Sequence, residues 1–169
     1  MKAVVPSMSQ PEERVWEVLR GVPDPEIPLL NIVDLGIVRY VRRGDDGRLR
    51  IGITPTYSGC PATAPIRTAT RAALDAEGYR EALIEEVLSP AWTSDWVTVE
   101  GRRKLVAFGI APPVRGESVP GRLWQAMPVS CPRCGSEATE RVSEFGSTPC
   151  KAHYRCSACR EPFDYFKCI

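Results

Sequence analysis

The chain has 169 residues, of which 43% are hydrophobic and 25% charged, enough for one ordinary domain and a small second one. Its net charge is +1: from Val129 onward six basic residues accompany five acidic ones, which leaves sixteen of each before it. Neither part carries the basic field of a nucleic-acid binder.

The N-terminal MKAVVPSMSQPEE has one lysine and a very short apolar run, unlike a signal peptide, and no stretch is as long and apolar as a membrane span. Reduced thiols in the cytoplasm are therefore expected, and an odd count of seven cysteines suits a disulfide framework poorly. Ser9-Gln10-Pro11-Glu12 has the form of a capping box with an early proline. A helix should follow it with Val15, Val18 and Leu19 on its buried stripe, ended by Gly21 and Pro23. In DPEIPLLNIVDLGIV, Asp24 to Val38, the prolines forbid regular helix and hold the chain extended. Asp24 and Glu26 flank Pro25 on this stiff loop; read without context, Asp before Pro is turn chemistry.

Ile37–Arg43 and Arg48–Thr54 predict two strands joined by a turn at Gly44-Asp45-Asp46-Gly47. A helix is expected next, with Ala62, Ile66, Ala69, Ala73 and Leu74 on one face and Gly78 at its end. Pro61 suits the first helical position, which makes Cys60 the expected N-cap. A thiol there would sit at the positive end of the helix dipole, where the thiolate is favoured. Gly59 beside it permits close backbone approach. A third strand is expected over Ala82–Leu88, then a helix capped by Thr93 or Ser94 that Gly101 interrupts and Gly109 stops. The Pro- and Gly-rich stretch 113–128 reads as a linker between a first domain, 1–112, and a Cys-rich domain, 129–169. The fold class is α+β: a small mixed sheet with packed helices, followed by a zinc-ribbon-like β domain.

The Cys-rich tail is the most specific feature. Cys131/Cys134 and Cys156/Cys159 are two Cys-x-x-Cys pairs separated by 21 residues. Two such knuckles on facing hairpins supply the four thiolates that a structural zinc ion prefers. Cys150-x-x-His153 is an alternative second knuckle, and Cys168 is a further spare ligand. Cys150 reads equally as a thiol activated by Lys151 and Arg155 or as a small buried hydrophobe. His153, the sole histidine, reads otherwise as a half-buried ring beside Tyr154. Cys60 has no histidine base in its own domain, so hydrolase chemistry is disfavoured; a soft-metal ligand and a structural thiol remain open. No dinucleotide, Walker or HExxH motif is present.

DPEIP at Asp24–Pro28, NIVDLGIV at Asn31–Val38 and TPTYSGCPA at Thr54–Ala62 resemble the SufT-like iron–sulfur assembly domain family. The tail FGSTPCKAHYRCSACREPFDYFKC resembles the branch of that family found with bacterial phenylacetate breakdown, and the resemblance spans nearly the whole chain. It implies a small α+β domain with a zinc-ribbon-like tail, and Asp24, Glu26 and Cys60 as the characteristic positions. It implies no catalysis, but an accessory role in supplying clusters to the phenylacetyl-CoA epoxidase system, especially its iron–sulfur reductase. A structural zinc ion and a transient iron–sulfur cluster are the cofactors it implies. The competing function is a zinc-ribbon scaffold or regulatory subunit of the oxygenase without its own cluster. A homodimer is compatible with either, and in the first it would let two Cys60 thiolates share one cluster.

Overall fold

The computed structural model describes residues 10–114 and 128–167. Helix α1, Gln10–Arg20, turns Val15 and Leu19 fully inward. Its expected cap at Ser9 lies outside the described residues. Strand β1, Val38–Arg43, pairs antiparallel with β2, Leu49–Ile53. The turn between them needs Gly47 at φ +77°, a backbone region that glycine enters without steric cost. β2 then pairs in parallel with β3, Leu83–Glu86. Parallel neighbours require a crossover, supplied here by α2, Thr63–Ala76, which buries Ile66, Thr70 and Leu74.

Beyond β3 the expected single helix is two pieces. Ser94–Trp96 form a 3₁₀ turn capped by Thr93, and α3 spans Val99–Ala107 with Thr98 as its cap. The break falls at Val97-Thr98, because the Thr98 hydroxyl accepts from the Gly101 amide at 3.0 Å and restarts the helix there. Gly101 therefore lies inside α3. Its place follows from packing: a Cβ there would sit 2.7 Å from the Asp34 carbonyl oxygen.

A second sheet has the order β4-β7-β6-β5, built from Ile110–Ala111, Pro162–Phe166, Lys151–Cys156 and Thr139–Ser143. β4 follows α3 directly, yet it pairs in parallel with β7 from the end of the chain. Residues 115–127, most of the expected linker, lie outside the described residues. The main core joins α1, α2, α3 and the first sheet, and it also takes in Cys150 and Phe166 from the tail. Phe166 meets Trp92 edge-to-face, ring centroids 6.3 Å apart, while the Trp92 indole donates to the Leu35 carbonyl at 2.9 Å. A smaller core under the second sheet holds Ala111, Val129, Cys131, Ala152, Cys156, Phe163 and Tyr165. The tail is thus fastened to the first sheet by the very segment that carries its spare cysteine.

Candidate metal centre and thiol cleft

Each Cys-x-x-Cys pair closes a tight turn that ends in a left-handed residue, Gly135 at φ +74° after the first and Arg160 at φ 63° after the second. The Gly135 amide returns to the Cys131 carbonyl at 2.9 Å. The hairpin of β5 and β6 brings the knuckles face to face. Cys131 Sγ stands 3.8 Å from Cys159 Sγ, and Cys134 Sγ 3.6 Å from Cys156 Sγ. All four sulfurs lie within 4.8 Å of one another. A tetrahedral ion with metal–sulfur bonds of about 2.3 Å needs sulfurs about 3.8 Å apart, so the frame already has the right size. The backbone amide of Cys159 points at Cys156 Sγ, and with the Ala158 amide it pulls that thiol down to about 7. This is the only group of three or more such ligands found among the described residues. His153 stands outside it, half-exposed, with Nδ1 3.4 Å from Asp164 Oδ1 across the β6–β7 pairing. Cys168 lies outside the described residues.

The second site is a cleft of about 30 Å³ where the first sheet meets the tail. Asp24 and Glu26 play different parts in it. Asp24 is buried, and its Oδ1 accepts from the backbone amides of Glu26 at 3.0 Å and Ile27 at 2.8 Å. Burial raises its pKa and these amides oppose the rise. Its carboxylate therefore holds the loop in shape, the turn chemistry of Asp before Pro. The Glu26 side chain takes no part in that turn, and its Oε2 lies 3.6 Å from Cys150 Sγ.

Cys60 reaches the cleft from the loop between β2 and α2. It is half-buried, with Sγ 3.8 Å from Thr56 Oγ1. The structure corrects its expected role as N-cap: α2 starts at Thr63 with Ala62 as cap, and Cys60 lies two residues earlier. The cause is a turn over Tyr57–Cys60, with Gly59 at φ +78° and the Cys60 amide on the Tyr57 carbonyl at 3.2 Å. Tyr57, which sequence reasoning passed over inside TPTYSGCP, lines up beside it. Burial pushes the Tyr57 phenol up to about 12, and Cys60, Glu26 and Cys150 add to the rise.

Cys150 precedes β6 and is buried, its Sγ 3.0 Å from Thr148 Oγ1. Burial pushes its thiol up to about 11, with Glu26 contributing, against the lowering pull of Thr148 and Lys151. The expectation that Lys151 and Arg155 activate it fails for two reasons. Lys151 attracts too weakly to offset burial, and Arg155 turns outward to Glu140, with Nη2 2.5 Å from Oε1. The structure thus gathers Glu26, Cys60 and Cys150 around one cleft. Thr148 could have been suspected from its place two residues before Cys150; Tyr57 had no signal beyond its motif.

A small mixed sheet with a thiol on its βα loop, followed by a four-sulfur β-ribbon, is the plan of an iron–sulfur assembly domain joined to a metal-binding tail. Residues 12–84 match the model described as "Iron-sulfur cluster assembly protein", and residues 117–167 match "PaaD zinc beta ribbon domain". An Escherichia coli K12 protein, described as a subunit of a "Putative 1,2-phenylacetyl-CoA epoxidase", is 52% identical over 92% of this chain and 92% of its own. A Porphyromonas gingivalis "Fe-S protein maturation auxiliary factor" is 34% identical over 57% of this chain and 91% of its own. The crystal structure of a DUF59 domain from Bacillus anthracis superposes with a TM-score of 0.51 at 26% identity, over 56% of this chain and 90% of that one. The chain belongs to the PaaD family, whose members join an iron–sulfur cluster assembly domain to a zinc β-ribbon. No helix among the described residues is long and apolar enough to cross a membrane.

Proposed function

We propose that this chain is an accessory factor that assembles or delivers iron–sulfur clusters, and that its client is the reductase of a phenylacetyl-CoA epoxidase system. The observation that carries this reading is the thiol Cys60, held half-exposed at a preformed cleft beside Glu26 and apart from the four sulfurs of the ribbon. Thiolates are the usual ligands of such clusters, and a carrier must hold its cargo loosely and within reach of a partner. The maturation-factor relative supports the class of activity, and the epoxidase-subunit relative supports the choice of client. The reading assigns no catalysis to the chain: Cys60 has no histidine at the cleft to serve as base. In this reading residues 1–112 form the assembly domain, 113–128 join it to the tail, and Cys131, Cys134, Cys156 and Cys159 hold a structural zinc ion. Bound zinc would cross-link the two knuckles and supply no reaction chemistry.

The test is to produce the reductase with this protein, without it, and with its Cys60→Ala form, then measure cluster content by absorbance and iron analysis. A carrier gives full content only with the intact chain. Equal content in all three, with the oxygenase subunits failing to assemble when the chain is missing, favours a ribbon scaffold.

A further inference from the structure

The tail does more at the cleft than cover it. Cys150 and Phe166 enter the main core, and both line the same cleft as Cys60. The cleft therefore holds two thiols delivered by distant parts of the chain, one from the β2–α2 loop and one from the residue before β6. A carboxylate from a third part, Glu26, lies within 3.6 Å of the Cys150 sulfur. The remaining wall is largely aliphatic, from Ile27, Ile37, Ile53 and Ile66. Two sulfurs and one oxygen in an apolar setting suit a thiophilic transition metal and suit a hard cation poorly.

We propose that Cys60 and Cys150, with Glu26, form one composite site for a thiophilic divalent metal or the iron of a cluster, so that the ribbon supplies half of the sulfur ligands for the cargo. This rests on the reading of Cys60 as a cargo thiol and extends it to the tail. The three ligand atoms do not all lie within 4.8 Å of one another, so capture requires a closing movement. The loop at Gly59-Cys60 is the part able to make it, since Gly59 already occupies a left-handed conformation with open space around it. Binding replaces two S–H bonds by two metal–sulfur bonds and releases two protons. Glu26 stands where it can accept the proton of Cys150 and return it to solvent. A thiol that stays protonated until a metal displaces its proton also resists adventitious oxidation, which suits a carrier that is empty for part of its cycle.

Cobalt(II) is a suitable probe. It ranks below zinc for a given donor set, so it leaves a zinc-loaded ribbon in place, and its sulfur-to-metal absorption reports the thiolates bound. Full-length zinc-loaded protein is titrated with cobalt(II) anaerobically, as wild type and as Cys60→Ser, Cys150→Ser and Glu26→Gln. One cobalt per chain is expected for wild type. Each serine variant should lose about half the near-ultraviolet intensity and bind on the order of tenfold more weakly or worse. Zinc content and circular dichroism check that the variants fold. X-ray absorption at the cobalt edge of the wild type needs no variant, and two sulfur neighbours are expected. A single sulfur neighbour, or wild-type binding by Cys150→Ser, overturns the composite site while leaving the carrier reading of Cys60 intact. Two sulfurs combined with a reductase that fills equally well without this chain would keep the site and defeat the carrier reading.

Discussion

The first sheet rests on a broad core that runs from Val15 on α1 through Ile51 and Leu74 to Leu105 on α3, whereas the second rests on seven buried residues, two of them the cysteines Cys131 and Cys156. That difference assigns the two groups of thiols. A ribbon this small cannot bury enough apolar surface to offset the entropy of ordering its chain, so a metal must hold it. Its four sulfurs accordingly form a closed set with no position left for cargo. The cleft differs: most of its frame folds on the aliphatic packing of the main core, so Cys60 is positioned without a metal, while Cys150 reaches it from the residue before β6.

The largest effect expected is on the ribbon. Stripping its metal, or making Cys156→Ser, should remove on the order of 10 kcal/mol of apparent stabilisation. Amide hydrogen exchange should then show β5, β6 and β7 losing protection while β1, β2 and β3 keep theirs. Protected β5–β7 amides in metal-free protein would break the comparison. Phe166→Ala comes next, since it removes the tail's ring from Trp92 and from the main core. About 3–5 kcal/mol is the usual cost of such a truncation. Thermal unfolding should also separate into two transitions, because this contact fastens one region to the other. A single transition of unchanged midpoint would show that other contacts join them. Gly101→Ala should be milder, about 1–3 kcal/mol by urea denaturation, because the added methyl must push Asp34 and α3 apart.

Much of this was legible in the residues. The strands β1 and β2 lie within a residue of their expected bounds, because alternation at Leu49, Ile51 and Ile53 and the GDDG turn act locally. The sulfur knuckles were legible because metal geometry dictates their spacing. Three features were not. β4 is two residues long and carries no period, and it exists only through its partner β7. The place of Gly101 inside α3 depends on its close approach to Asp34, a contact between residues far apart in the chain. Which of the two readings of Cys150 holds was not legible: its neighbours Lys151 and Arg155 suggested charge, but the fold turns Arg155 away and buries the sulfur, the other reading. Only tertiary packing reveals that the Glu26 carboxylate also faces this thiol.

The smallest effect expected separates the two motif carboxylates. Asp24 and Glu26 are two residues apart, yet Asp24 accepts two backbone amides while Glu26 faces a thiol. Burial holds the Asp24 pKa above 3.8, so the folded state binds its proton more tightly than the unfolded chain does. The stability tied to that proton is fully present below the unfolded value and is lost as pH rises through the folded one. At neutral pH the buried charge is therefore a cost. Asp24→Asn keeps the acceptor oxygen and removes the charge, so its stability at neutral pH should equal or slightly exceed wild type, within about 1 kcal/mol. The gap between variant and wild type should shrink as pH falls below the carboxylate range, which urea titrations at several pH values will show. Cobalt binding and reductase loading should be unchanged in Asp24→Asn and weakened in Glu26→Gln. If Asp24→Asn instead lost loading while keeping its stability, Asp24 would belong to the cargo chemistry, and the division between a shaping carboxylate and a ligand carboxylate would be wrong.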